Sequence, residues 1–158
     1  MSKPILVALG RVVHNYQALE YYLGVIAHVL IGHSDQRITK CITAELSFRG
    51  LVSLIAALHS EREPRRRIRA ELTGLLKKAS DLDARRNQLM HSVWSLDASG
   101  EQGTRLKATA KRELRWQVEP VVGADIEKVA SDIASLSVAL QAFMSAQGYA
   151  FSEASSDA

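Results

Sequence analysis

The sequence predicts an all-α fold: an up-down four-helix bundle with a short β-hairpin inserted between helices three and four. Three observations predict it. In four separate segments, apolar residues recur at steps alternating between four and three, the spacing of one helix face packed in a bundle. Glycine and proline are sparse, at nine and three among 158 residues, so little interrupts long helices. Only residues 93–118 alternate apolar and polar positions instead, around Leu106 and Ala108 and then Leu114, Trp116 and Val118, with Gly100 and Gly103 punctuating a turn, as in a hairpin or short meander.

The first helix carries Ile5, Leu9, Val12, Tyr16, Leu19, Leu23, Ile26 and Leu30 on one face. Beside that face runs a row of Leu6, Val13, Glu20 and Ala27, in which Glu20 is the only charge. Gly32, Ser34 and Asp35 end the helix and begin a connection. Ala44, Phe48, Leu51, Ile55 and Leu58 mark the second helix. Pro64 is placed just inside the start of the third, where its missing N–H is harmless. The third then shows Ile68, Leu72, Leu75, Ala79, Leu82 and Leu89. Gly123 and Asp125 precede the fourth, which repeats the spacing through Ile126, Val129, Ile133, Leu136, Leu140 and Phe143 and meets a glycine cap at Gly148. The pattern describes one domain over residues 1–148. A small, acidic tail follows over 149–158 and is expected to be disordered.

Composition narrows the function. A hydrophobic fraction of 47% and a charged fraction of 23% are ordinary for a globular chain. Cys41 is the single cysteine, which excludes an internal disulfide and suits a reducing, cytoplasmic setting. The N-terminal apolar run is broken early by Arg11, His14 and Asn15, so no secretory signal is expected. The apolar stretch LGVIAHVLIG is far short of the ~20 residues that span a bilayer, so a soluble protein without membrane contact is expected. His14, His28, His33 and His59 form no metal-ligating array, and neither phosphate-binding glycine loops nor G-x-S-x-G occur. No metal or other cofactor is therefore expected.

The net charge of +3 and pI of about 9.2 lean mildly toward anionic partners. The bias is concentrated in REPRRRIR, where Arg62, Arg65, Arg66, Arg67 and Arg69 form a candidate RNA-binding cluster at the start of the third helix. Cations there oppose the helix dipole, and Glu61, Glu63 and Glu71 offer the competing role of a solvated, paired face.

The most informative stretch is RRNQLMHSVW, residues 85–94. The third helix's apolar series steps through 68, 72, 75, 79 and 82 and then reaches Arg86 before Leu89. A guanidinium in such a row needs a partner or a wet cleft. Glu20, in the flanking row of the first helix, is the candidate counterpart. Asn87 and His91 are four residues apart and share a helix face. His91 stands about 140° around an ideal helix from Arg86, so regular geometry alone does not join them. As ordinary packing, Arg86 would snorkel at the core's edge, and His91 would suit a helix C-terminus.

R-N-Q-L-M-H resembles the R-x4-6-H signature of the HEPN superfamily, including the polar residue, here Asn87, that commonly follows the arginine. The resemblance spans roughly residues 5–147, and its specific part is 86–91. It implies a helical bundle with the motif late in a core helix. For many members it also implies a homodimeric, metal-independent ribonuclease with two motifs meeting in one cleft. On that resemblance Arg86, Asn87 and His91 are the catalytic residues. His91 would act as general base or acid, Arg86 would stabilise the phosphate and Asn87 would orient either. RNA would be left with a 2′,3′-cyclic phosphate and a 5′-hydroxyl. Toxin–antitoxin or defence systems, with a protein antitoxin, are the implied setting. Some toxin members carry a tyrosine shortly after the histidine, where this chain has Ser92, Val93 and Trp94. Other members are non-catalytic dimerising or partner-binding modules, the alternative the resemblance also implies.

Overall fold

Helices dominate the computed structural model, which describes residues 4–32, 35–100, 102–109 and 115–149. Among them are five helices: α1 (Pro4–Ile31), α2 (Gln36–Ala44), α3 (Phe48–Arg62), α4 (Arg66–Met90) and α5 (Gly123–Gln147). Between α4 and α5 lie β1 (Val93–Leu96), β2 (Gln102–Thr109) and β3 (Arg115–Val122). The mainly helical class agrees with the sequence pattern. The connection after Gly32 contains a further helix, α2. Of the hairpin and the short meander that the alternation allows, the structure has the meander, a three-stranded antiparallel sheet in the order β1-β2-β3. The expected acidic tail lies outside the described residues from position 150 onward.

Helix ends follow local chemistry. Asp35 caps α2 by accepting from the Arg37 N–H, and Ser47 caps α3 by accepting from the Gly50 N–H. Gly32 and Gly148 take the left-handed conformation, with φ of 70° and 67°, that ends α1 and α5. Pro64 is not inside α4. It lies in the connection, because Glu63 turns back on Arg65 and α4 begins at Arg66.

The chain divides into two compact units. The first comprises Met1–Gln17 and Asp81–Ala134. Its core holds Ile5, Val12, Tyr16, Leu82, Leu89, Ile126, Val129 and Ile133, all buried. The sheet belongs to it. Gly100, with φ of 72°, turns β1 into β2, and its carbonyl accepts from the Ile5 N–H at the start of α1. Gly103 is paired with Leu96. A Cβ there would stand 2.8 Å from the Leu96 side chain and 2.9 Å from the Ser95 carbonyl. One sheet face carries the Arg105–Glu119 ion pair. The other aligns Val93, Leu106 and Val118 across three strands, with Val93 and Val118 both exposed.

The second unit comprises Ala18–Ser80 and Ser135–Ala158. Leu19, Leu23, Ile26, Ile55, Leu72, Leu76, Leu140 and Phe143 form its core. The buried His28 Nδ1 and Thr39 Oγ1, 3.0 Å apart, tie α2 to α1. By length and composition α5 could cross a membrane, with a mean hydropathy of 1.3 over its most apolar 18 residues. A core helix passes the same test, and its periodic residues Ile126 to Phe143 are buried.

Candidate functional site

The first unit brings Tyr16 of α1 against the last turns of α4. Asp83, Arg86 and Asn87 stand at helical spacings of three and four on α4, so their side chains reach one another. The Tyr16 hydroxyl donates to Asp83 Oδ1 at 2.5 Å, and Asn87 Nδ2 donates to the same oxygen at 3.0 Å. Arg86 Nη1 donates to Asn87 Oδ1 at 2.8 Å. The Arg86 guanidinium carbon lies 4.5 Å from the centre of the Tyr16 ring. A cation over a phenol face at this range is worth about 0.5–2 kcal/mol, depending on desolvation.

Arg86 therefore solves the problem of a charge in an apolar row in two ways. Its flat face rests on Tyr16, and its charge reaches the Asp83 carboxylate through Asn87. The amide of Asn87 has one workable orientation, because its oxygen must receive Arg86 and its nitrogen must serve Asp83. Most of the guanidinium's five donors stay uncommitted. The Nε group is buried and has no protein partner among the described residues.

His91 sits just past the end of α4 and is exposed. Its backbone N–H closes the helix on the Asn87 carbonyl at 3.0 Å. Its ring has no hydrogen-bond partner among the described residues, so Arg86 and Asn87 are joined to each other but not to the imidazole. Trp94, three residues on, donates its indole N–H to the Leu89 carbonyl at 3.0 Å and fixes β1 against the helix end.

The remaining sequence candidates divide. Glu20 is exposed and lies on the part of α1 that belongs to the second unit. Arg85, which precedes Arg86 on α4, pairs with Asp132 at 2.8 Å. In the arginine cluster, Arg62 donates to the Ile31 carbonyl at 3.3 Å. Arg65 grips both Glu63 oxygens, at 2.7 and 2.8 Å, and also reaches Gln147. Arg66 and Arg67 are exposed, and Arg69 is half-buried. Binding to Arg65 holds the Glu63 carboxyl well below its ordinary range, at about 2.

Two site members escaped the sequence reading of the motif. Asp83 was detectable as the residue three before Arg86 and four before Asn87. Tyr16 was detectable as the one hydroxyl-bearing member of the apolar series in α1. Among the described residues, no group of three or more His, Cys, Asp or Glu side chains could hold a metal ion. No family model, no curated protein and no solved structure matches the chain. The fold and the site thus define a mainly helical protein with a small antiparallel sheet and an Arg–Asn–Asp–Tyr network at one helix end.

Proposed function

We propose that the chain is a HEPN-like helical bundle and a metal-independent endoribonuclease that works as a homodimer. The observation that carries this reading is Arg86, pre-positioned by Tyr16 and Asn87 with donors to spare, on the same helix end as the exposed His91. An imidazole titrates near neutrality and can take the proton of a ribose 2′-hydroxyl. The 2′-oxygen then bonds to phosphorus, and the 5′-oxygen leaves and is protonated, in a dimer by the second copy's imidazolium. Arg86 donates to the non-bridging oxygens as negative charge builds there. Asn87 keeps Arg86 in place. The exposed Arg66 and Arg67 supply contacts to the phosphate backbone. The products are a 2′,3′-cyclic phosphate and a 5′-hydroxyl.

A second reading, a non-catalytic HEPN-like module that dimerises or binds a partner such as a protein antitoxin, draws on a different observation. Within one chain the His91 ring is not joined to Arg86, while Arg86 already serves packing through Tyr16 and Asn87. One experiment divides the two. Purified protein is incubated with mixed RNA in excess EDTA, beside His91→Ala and Arg86→Lys. The ribonuclease reading expects cleavage to cyclic-phosphate ends, reduced about 100-fold or more in each variant. RNA left equally intact by all three proteins favours the module. Cleavage that stops on chelation rejects the metal-free mechanism.

A further inference from the structure

The second unit contains a cavity of about 40 Å³ between α3 and α4, which the proposed RNA chemistry does not use. Its floor is apolar, formed by Ala56, Leu72 and Leu76. Its polar wall consists of His59 and Ser60 from α3 with Arg69 and Thr73 from α4.

His59 is only 3% exposed, and its Nε2 has no hydrogen-bond partner in the protein among the described residues. Its ring meets Phe143 edge-on, with centroids 6.0 Å apart, so that side is closed by packing. Glu63, one helical turn on from His59, is the carboxylate that acts on its ring, but both its oxygens are held by Arg65. Arg69 has no carboxylate partner among the described residues. Thr73 spends its hydroxyl proton on the Arg69 carbonyl at 2.8 Å. The cavity is therefore donor-rich and carries one uncompensated positive charge beside an unsatisfied buried imidazole. Burial, and to a smaller degree Arg69, hold His59 below its ordinary pKa, while Glu63 opposes them.

A cation would be repelled by Arg69. Water needs about 10–15 Å³ of such space and could satisfy Nε2, but it would leave the Arg69 charge unanswered. We propose that this cavity binds a small inorganic anion, held between the Arg69 guanidinium and the His59 imidazole, with the Ser60 hydroxyl as a further donor. The site is independent of the ribonuclease reading and stands whether or not RNA is cut. The bound anion favours the protonated imidazole, and by reciprocity protonation of His59 tightens the anion.

The test is ring-resolved histidine NMR on the full chain, titrated separately with sodium phosphate, sodium sulfate and sodium chloride. Sodium gluconate, whose anion is too bulky for the cavity, keeps the ionic strength constant. The His59 signals are expected to shift saturably in the millimolar range with at least one of the three, while those of His14 do not. Arg69→Gln, a change at a half-buried position, is expected to abolish saturation while circular dichroism confirms the fold. Ser60→Ala is expected to weaken binding several-fold. A linear response to all three salts, or equal saturation in Arg69→Gln, overturns the proposal.

Discussion

At the residue scale, Arg86 shows how a polar group is tolerated in an apolar row. The periodicity of α4 made Arg86 conspicuous, because its neighbours in the series are alanine, leucine and isoleucine. It did not say what answers the charge. The sequence suggests a carboxylate on α1, Glu20, as its counterpart; the structure also sets a phenol on α1 against Arg86 and a carboxylate on α4, linked through Asn87. Long-range pairing depends on how helices are rotated, which one sequence does not encode visibly, whereas the Asp83–Asn87 spacing is local and readable. The network predicts that Tyr16→Phe keeps the ring under Arg86 but loses a charge-assisted hydrogen bond. It should cost about 1.5–3 kcal/mol in urea denaturation. A double-mutant cycle with Asp83→Ala should show the two changes to be clearly sub-additive, since they remove one bond from opposite ends.

At the element scale, the sequence was most reliable where a period ran long and least reliable in short connections. The apolar series of α1, α4 and α5 are buried at most of the positions the spacing marks, while Leu9, Ile68 and Leu75 are only half-buried and Ala8 and Leu76 beside two of them are buried. α2 was missed because nine residues with Arg37 and Lys40 carry only a brief pattern. Its place is fixed instead by the cap at Asp35 and by the buried His28–Thr39 pair. The alternation over residues 93–118 leaves a hairpin and a short meander open, and the pairing of β3 with β2 makes it the meander. Gly103 belongs to this scale: its residue type suggests a turn, and in the structure it is a strand residue with no room for a side chain. Gly103→Ala should destabilise the protein by roughly 1–3 kcal/mol through overpacking against Leu96 and the Ser95 carbonyl. Ser47→Ala, which removes the cap of α3, should cost about 1 kcal/mol. Thermal or denaturant melts check both.

At the scale of the whole molecule, two groups set the response to acid. His59 has a lowered pKa when folded, so the unfolded chain binds its proton first. Its destabilising effect therefore begins as pH falls below the ordinary 6.5. Glu63 is depressed from 4.5 to about 2, so its contribution is full above about 4.5 and fades as pH falls toward about 2. Melting temperature should decline in two stages on acidification, with His59→Gln flattening the upper stage and Glu63→Gln the lower. Both groups lie in the second unit, whereas Trp94, pinned by its indole N–H to Leu89, lies in the first. That hydrogen bond gives the chain a built-in optical probe. With Trp116→Phe removing the other emitter, Trp94 fluorescence reports the first unit while acid attacks the second. Coincidence of the fluorescence and circular-dichroism transitions would mark a single cooperative unfolding step. An indole signal that outlasts the loss of helix would mean that the two units melt separately.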